Sequence, residues 1–279
     1  MTESGGRTDR SVSLSQVFRD LHLLSLLGLA YCAGDSVRRT VLVFGDDLDM
    51  PQATEIRELV ASVPYWHHAY EISPGVTTPG RYKPHTILPR LKLPSDLRGK
   101  RAIDIGASDG FYTRALIEAG ADVVAVDYRP KTASGFWVME RALGRSIEHR
   151  HANIYDLPSL GLGRFDLVLC LGVIYHLPDM ARAFRILADL CSDQLLLESH
   201  VQALEPADAP LARYLPANTL KDDITNFWAP NIACLKAMAG DVGFSVRRTE
   251  AWGDRALFEC GAPSHISRKY VLAYSTKTG

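Results

Sequence analysis

Hydrophobic and polar positions follow two different patterns along this chain of 279 residues, and the change falls near residue 101. From there onward, short apolar runs rich in β-branched residues alternate with segments of helical spacing. This alternation predicts an α/β fold with a doubly wound, mostly parallel sheet. The predicted parallel strands are AIDI at 102–105, DVVAVD at 122–127, IEHRHA at 147–152, DLVLCL at 166–171 and QLLLES at 194–199. The predicted helices are 111–119, 135–143, 179–191 and 230–241.

Two further β-rich runs follow the last of these helices. FSVRRTEAW at 244–252 and KYVLAYS at 269–275 are joined without room for a full crossover helix. Strands connected in that way pair antiparallel, so we expect both at the edge of the sheet. The predicted sheet therefore has seven strands and an antiparallel edge strand.

The pattern before residue 101 is different. A helical stripe of Leu14, Val17, Phe18, Leu21 and Leu24 predicts an amphipathic helix within 14–31. Its apolar face needs a partner, and we expect the main domain or a second subunit, which would make a homo-oligomer. The predicted division is an N-terminal extension at 1–48 with the apolar run VLVF at 41–44, a helix and irregular collar at 49–100, and the main domain at 101–279 with an insertion at 201–228.

Composition narrows the classes of partner. The formal net charge of −1 gives no overall electrostatic attraction for nucleic acid or for an anionic membrane. The apolar run at 21–33 is too short to span a bilayer and follows acidic residues, so we expect no membrane anchor. The five cysteines form no CxxC pair, which favours reduced thiols in the cytoplasm.

An acid and two glycines follow the first strand of the main domain. Asp104 ends the strand, Gly106 and Gly110 come next, and a helix begins near Phe111. Ligands of such sheets bind beyond the carboxyl ends of the strands, where glycine lets them approach the backbone. An anion in front of the loop suits a ligand with an ammonium or sulfonium better than a phosphate. S-adenosylmethionine has both cations, so we expect it as the cofactor.

The next two strands end in further polar residues. Asp127 ends the second strand 23 residues after Asp104, where a carboxylate can accept both ribose hydroxyls of an adenosine. The third strand is followed by Asn153 and Ile154, a polar and an apolar side chain that could hold adenine. Each signal is weak alone, but three on successive strands indicate one nucleoside site.

The end of the fourth strand carries a specific resemblance. It reads FDLVLCLGVIYHLPD at 165–179. The chain resembles class I S-adenosylmethionine-dependent methyltransferases, which are Rossmann-like. Within them it is similar to the tRNA wobble-uridine (carboxy)methyltransferase family, whose fourth strand runs into Met-Gly-Val-Leu-Tyr-His. The resemblance covers roughly 64–260. Supporting stretches are VTTPG at 76–80, LPRL at 88–91, LLLES at 195–199, ARYLPANT at 212–219 and NFWAPN at 226–231.

The resemblance implies roles for individual residues. Cofactor contacts would come from Gly106 under the methionine part, Asp127 on the ribose, Asn153 and Ile154 near adenine, Leu171 and Tyr175 at the methionine end, and Lys83 entering the pocket. The chain also departs from the family. The usual Gly-x-Gly is Gly106-Ala-Ser108, residues 64–67 replace the neighbourhood of a family lysine that meets a carboxylated cofactor, and Arg255 is only a shifted candidate for a late family arginine. We therefore expect the ordinary cofactor, without the extra carboxylate.

Methyl transfer by in-line displacement needs orientation and, for a weak nucleophile, a base. Histidine is the usual base near neutral pH, so His176 and His200 are the first candidates. His176 could instead hold a neighbouring loop. Glu198 is a further catalytic candidate, but it is equally suited to orienting a loop or the ammonium of the cofactor. Tyr175 is the fourth candidate and is better suited to shaping the pocket than to taking a proton.

Two functions of different class remain open. One is a small-molecule methyltransferase of biosynthesis, in specialised metabolism, with the N-terminal extension and the 201–228 insertion as its lid. The alternative is a tRNA-modifying enzyme that docks through the Lys- and Arg-rich stretch at 81–101. A non-catalytic binder of the cofactor is a third reading. The pair His149 and His151 has no third ligand at a suitable spacing, so we predict no metal site. The pair His67 and His68 fits either a substrate-facing cluster or packing of the collar.

Overall fold

The computed structural model describes residues 52–267, 269, 270 and 273. The predicted extension at 1–48, with its amphipathic helix and its apolar run, lies outside these residues. The division into three parts and the association through the N-terminal helix therefore stay predictions.

The segment before the main sheet is only partly irregular. Helix α1 (Ala53–Ser62) matches the helix predicted at the start of 49–100, and its Ile56 and Val60 are buried. The collar after it contains a small antiparallel hairpin of β1 (Glu71–Ser73) and β2 (Val76–Thr77). A 3-10 turn at Pro84–Thr86 and the short helix α2 (Leu88–Leu91) follow, each with a proline in its first turn.

The remaining elements alternate as the sequence predicts. The strands are β3 (Arg101–Ile105), β4 (Asp122–Asp127), β5 (Glu148–His151), β6 (Phe165–Leu171), β7 (Cys191–His200), β8 (Ala212–Tyr214), β9 (Trp228–Pro230), β10 (Ser245–Trp252) and β11 (Arg255–Gly261). The helices are α3 (Phe111–Glu118), α4 (Phe136–Leu143), α5 (Met180–Leu190) and α6 (Ile232–Asp241).

Seven of these strands form one sheet in the order β10-β11-β7-β6-β3-β4-β5. The pairs among β3 to β7 are parallel, whereas β11 runs antiparallel to both β7 and β10. The predicted doubly wound, mostly parallel sheet is therefore confirmed. Its order reverses between β3 and β6, which opens a crevice at their carboxyl ends.

Both faces of the sheet are covered. Along β6, Val168 and Cys170 pack into one apolar cluster, while Leu167 and Leu169 pack into another on the opposite face. Two of the covering helices, α5 and α6, begin at polar caps: Asp179 accepts from the Arg182 N–H at 2.9 Å and Asn231 from the Cys234 N–H at 2.8 Å. A strand buried on both sides explains why DLVLCL is a nearly continuous apolar run.

One predicted strand is wrong. The partner of β10 is β11 at Arg255–Gly261, and the described residues within 269–275, namely 269, 270 and 273, are helical. The two strands are joined at Gly253 and Asp254, and Gly253 has a φ of +53°. A two-residue hairpin pairs neighbouring segments at little entropic cost, so the nearer segment forms the strand. The antiparallel strand β11 thus lies second from the edge.

None of the helices in the described part of the chain combines the length and the apolar character that a bilayer crossing requires. The predicted short apolar run at 21–33 is outside that part.

Candidate active site

The loop between β3 and α3 is closely packed against the end of β6. Gly106 has a φ of +83°, and a Cβ there would come within 2.4 Å of Val173 Cγ2. Gly110 has a φ of +87° and is the residue directly before α3. Only glycine adopts such angles without strain, so both glycines are needed to fold this loop.

Asp104, the last residue but one of β3, is a buried carboxylate. Its Oδ2 accepts a hydrogen bond from Thr113 Oγ1 at 2.6 Å, which ties the strand to α3. Burial raises the pKa of Asp104 to about 6, against the smaller opposing effect of the Thr113 hydrogen bond. A buried carboxylate of this kind gains stability from a nearby cation, as the sequence analysis expects for a sulfonium or ammonium.

Asp127 faces the same loop from the end of β4. Its Oδ2 accepts from the Ser108 N–H at 2.8 Å, and its Oδ1 accepts from the Arg129 N–H at 2.9 Å and from Arg129 Nε at 3.2 Å. Sequence reasoning missed Arg129, whose only signal is its position two residues after the acid. A carboxylate has about four acceptor positions. Three are occupied here, one of them by the Arg129 side chain, so one position is free and a second would be freed if that side chain moved.

Asn153 and Ile154 follow β5 as predicted, but their side chains differ in exposure. The Asn153 Oδ1 accepts from the Tyr155 N–H at 3.1 Å and caps a 3-10 helix at Ile154–Leu160. Asn153 is exposed, whereas Ile154 is buried in the core on one face of the sheet. The cap fixes the direction in which the chain leaves the strand.

Tyr175, Glu198 and Arg255 form a cluster at the carboxyl ends of β6 and β7, in which Glu198 is buried and the other two are half-buried. Arg255 binds Glu198 with two hydrogen bonds, of which Nη2 to Oε2 is 2.5 Å, and its Nη1 donates to Tyr175 Oη at 3.1 Å. Burial lowers the pKa of Arg255, but the Glu198 carboxylate outweighs it and the net pKa is raised. Burial also raises the pKa of Tyr175. Glu198 is therefore engaged as an ion-pair partner, which favours its orienting role.

His176 is held by the segment that follows β8. Its Nδ1 lies 2.9 Å from Thr225 Oγ1 and 3.2 Å from the Thr225 carbonyl oxygen, and Thr225 Oγ1 donates to Asp223 Oδ1 at 2.6 Å. Because the hydroxyl proton is committed to Asp223, Nδ1 is assigned as the donor to Thr225. The lone pair then lies on Nε2. Burial lowers the pKa of His176, so the ring is neutral near pH 7.

His200 is buried at the end of β7. Its ring centroid lies 5.8 Å from that of Tyr175, and its Nδ1 lies 3.5 Å from Asp254 Oδ2 without a completed hydrogen bond. Burial lowers its pKa as well. The structure thus brings together all four predicted catalytic candidates, Tyr175, His176, Glu198 and His200, at the ends of β6 and β7.

The remaining predicted cofactor residues lie at the rim. Leu171 is half-buried at the last position of β6, and Lys83 is exposed immediately before the turn at Pro84–Thr86. Within the described residues no hydrogen bond or ion pair holds the Lys83 ammonium, so its predicted entry into the pocket stays a prediction.

The collar residues 65–68 alternate between the rim and the interior. Trp66 and His68 are buried, whereas Tyr65 is half-exposed and His67 stacks on Tyr82 with ring centroids 4.5 Å apart. Burial lowers the pKa of His67 to about 4, so it is neutral. Packing of the collar therefore explains His68, and only His67 remains a candidate for a substrate-facing cluster.

Asp109 is a second residue of the site that sequence reasoning missed. Its carboxylate accepts from the His67 and His68 N–H groups at 3.0 and 2.7 Å, and it binds His68 Nδ1 at 2.5 Å. Its own carbonyl accepts from Tyr70 Oη at 3.2 Å. The signal was an acid inside the glycine loop, opposite a histidine pair. Asp109 joins the collar to the loop.

The other histidine pair separates. His149 packs its ring against Phe136 with centroids 4.7 Å apart, and burial lowers its pKa. His151 Nε2 lies 2.9 Å from the carbonyl oxygen of Tyr128. The two rings thus have different partners.

Comparison with known proteins identifies the family to which the chain is similar. The methyltransferase domain family matches residues 79–249, more than half of the chain. A ubiquinone biosynthesis O-methyltransferase of Bordetella avium (strain 197N) is 31% identical over 99 residues, covering 36% of this chain and 41% of that protein. A tRNA U34 carboxymethyltransferase of Campylobacter hominis is 34% identical over 96 residues, covering 34% of this chain and 33% of the relative. The chain thus spans less than half the length of these relatives.

A solved structure supports the fold. The N-terminal domain of EvdMO1, crystallised with bound SAH, aligns with a TM-score of 0.60 and 18% identity, over 77% of this chain and 98% of that domain. The family match, the sheet order and the glycine loop at the switch point agree with one another. The chain belongs to the methyltransferase domain family, whose members use S-adenosylmethionine.

Proposed function

We propose that the protein transfers a methyl group from S-adenosylmethionine to a small-molecule acceptor, of a kind made in specialised metabolism. S-adenosylmethionine, when bound, supplies a methyl group on a positively charged sulfur. Asp104 offers a buried carboxylate to the cationic part of the ligand, and Asp127 accepts hydrogen bonds from ribose hydroxyls in place of Arg129 Nε. Gly106 and Gly110 keep side chains away from the loop.

His176 is the proposed general base. Because its Nδ1–H donates a hydrogen bond to Thr225, its Nε2 has a free lone pair. Nε2 can therefore take a proton from an acceptor hydroxyl or amine as the methyl group is transferred. Tyr175, fixed by Arg255, shapes the pocket next to it. Glu198 holds Arg255 and orients that side chain, and His200 is the second candidate for the base.

The observation that favours a small acceptor over tRNA is the pairing of the basic stretch at 81–101. It contains seven Lys or Arg residues, and four of them form ion pairs with acids. The pairs are Arg90 with Glu250, Arg98 with Asp96, Lys100 with Asp166 and Arg101 with Asp122. A phosphate-binding surface needs its cations free to neutralise the nucleic acid backbone, so this stretch is weakly suited to docking tRNA.

The name of the Campylobacter hominis relative keeps the tRNA alternative as the second candidate. One experiment distinguishes the two candidate functions. The purified protein is incubated with methyl-labelled S-adenosylmethionine and either a small-molecule extract or bulk tRNA. We expect label in the small-molecule fraction and weak tRNA binding. Methylated tRNA, with binding that falls steeply as salt rises, would favour the alternative.

Location and assembly are also part of the proposal. The four described cysteines, Cys170, Cys191, Cys234 and Cys260, are free and buried. Burial raises the pKa of the Cys170 thiol, which keeps it protonated and unreactive. This usage favours a reducing, cytoplasmic setting. Association through the predicted N-terminal helix is proposed on its apolar stripe alone.

A further inference from the structure

A cavity of about 370 Å³ lies beyond the carboxyl end of β7. It is bounded by the segment between β7 and β9 on one side and by the turn between β10 and β11 on the other. Its volume is that of a small organic ligand. The lining residues that matter are His200, Gln202, Arg213, Leu215, Leu220 and Asp254.

The charge of this cavity is positive. Asp254 is neutralised by Lys221, whose Nζ lies 2.7 Å from its Oδ2. His200 is neutral near pH 7, because burial lowers its pKa. Among the described residues, nothing forms a hydrogen bond or an ion pair with the Arg213 guanidinium. Arg213 is exposed, so its guanidinium is free to pair with an anionic group that enters the cavity.

The cavity also contains a buried polar group without a partner. His200 is only 6% exposed, and its Nδ1 has no hydrogen bond, since Asp254 Oδ2 lies 3.5 Å away. Native structures rarely leave such groups unsatisfied, so a polar ligand group is expected here. Leu215 and Leu220 add apolar surface to the wall of the same cavity.

The position suits an acceptor. β7 lies two strands from β3 in the sheet, and the register puts Leu197, three residues before His200, level with the end of β3. At the usual strand spacing and rise, His200 is therefore roughly 14 Å from the end of β3. The His200 ring also contacts Tyr175, which in the proposed function shapes the pocket next to His176. One small molecule can therefore occupy the cavity and reach the crevice.

We propose that this cavity is the acceptor pocket and that it takes a small organic anion. Arg213 binds a carboxylate of the acceptor, Leu215 and Leu220 pack on its apolar body, and His200 binds a hydroxyl. The inference rests on the proposed function, because it assigns the acceptor class of the same site.

The test compares a charged probe with an uncharged probe of the same shape. 4-Hydroxybenzoate and 4-hydroxybenzamide are titrated calorimetrically into the full chain, with and without saturating SAH. We expect the benzoate to bind at least about tenfold more tightly than the benzamide. Arg213→Gln should remove that difference. The matched control is Arg145→Gln, an exposed arginine after α4, which should keep it.

The outcomes separate the two proposals. Equal affinity for both probes, or a preference that survives in Arg213→Gln, overturns the anionic pocket. Failure of the benzoate to bind at about 10 mM overturns it too, because even weak contacts register at that concentration. SAH binding, measured in the same samples, tests the cofactor site separately, and its failure would contradict the proposed function alone.

Discussion

Asp109 and His68 form a buried hydrogen-bonded pair, with His68 Nδ1 2.5 Å from Asp109 Oδ1. Their segments are far apart in sequence, and the same carboxylate also accepts the backbone N–H groups of His67 and His68. The collar is therefore fastened directly to the loop that is expected to hold the cofactor. This contact couples the stability of the collar to the shape of the site.

The first prediction concerns this contact. Asp109→Ala leaves two backbone N–H groups and a buried imidazole without their acceptor, so the free energy of unfolding should fall by about 3 kcal/mol. Urea denaturation measures this loss. Asp109→Asn keeps an acceptor oxygen and should lose less. Asp96→Ala, at an exposed site, is the control. A stable Asp109→Ala protein with unchanged S-adenosylmethionine affinity would show that the collar is held elsewhere.

The second prediction concerns Arg255 and Glu198. Arg255→Met leaves the Glu198 carboxylate buried without a partner and should lower the free energy of unfolding by about 3–5 kcal/mol. The double variant with Glu198→Gln should recover much of the loss, because the uncompensated charge is gone. Arg98→Met, whose partner Asp96 is exposed, should change little. If the double variant is as unstable as the single one, charge pairing is not what Arg255 contributes.

The third prediction is a pH dependence of cofactor binding. Asp104 has a pKa of about 6 in the free protein, and a cationic ligand favours the ionised form. Binding therefore releases a proton below pH 6, and affinity for S-adenosylmethionine should rise about tenfold between pH 5 and pH 7. Calorimetry at several pH values measures it.

Asp104→Asn provides the control for this dependence. Asparagine can still accept from Thr113, but it does not titrate, so the rise with pH should vanish while overall affinity drops. The linkage also affects the free protein. Its raised pKa means that Asp104 stabilises the fold at low pH and that this contribution is lost as the pH rises from about 4 to about 6. A rise in affinity that survives in Asp104→Asn would assign the titration to another group.

The fourth prediction concerns the base. His176→Asn should lower kcat by about 10²–10⁴-fold with little change in cofactor affinity. Burial lowers the pKa of His176, so wild-type activity should rise with pH at a midpoint below 6.5 and be flat near pH 7. Thr225→Val removes the hydroxyl that orients Nδ1 and should cause a smaller loss.

The alternatives to His176 give different results. If the acid limb of the pH profile survives in His176→Asn and disappears in His200→Asn, the base lies on β7. If both variants keep near-normal kcat, the acceptor needs no base and orientation accounts for the rate. A joint loss of thermal stability and cofactor affinity in His176→Asn would indicate that the ring only holds the Thr225 segment.

Much of the fold follows from the alternating pattern because β3, β4, β6 and β7 are largely buried on both faces. DVVAVD and DLVLCL have no other reading than central strands. The strands at the antiparallel edge of the sheet are harder to predict. β11 reads RALFECG, with charges at Arg255 and Glu259, whereas the sequence pattern favours the more apolar KYVLAYS at 269–275. The tight turn at Gly253, rather than hydrophobicity, decides which segment pairs.

The site residues also divide into those that the sequence pattern predicts and those that it does not. Asp104, Gly106 and Asp127 were recognisable because each stands at the end of a strand, where the fold places ligands. Asp109 and the role of Arg255 were not, since their side-chain partners are remote in sequence. Arg129 was not either, because an arginine two residues after a strand-ending acid has no specific pattern. Side chains that act through such contacts leave no periodic signal.

The most direct test of the account is a calorimetric titration of S-adenosylmethionine into the wild type and Asp127→Ala. Asp127 is expected to accept the ribose hydroxyls, so the variant should lose about 1–3 kcal/mol of binding free energy. Asp122→Ala, at the exposed opposite end of the same strand, should bind like the wild type. Equal affinity in all three proteins, or no binding by the wild type, would contradict a cofactor site at the end of β4.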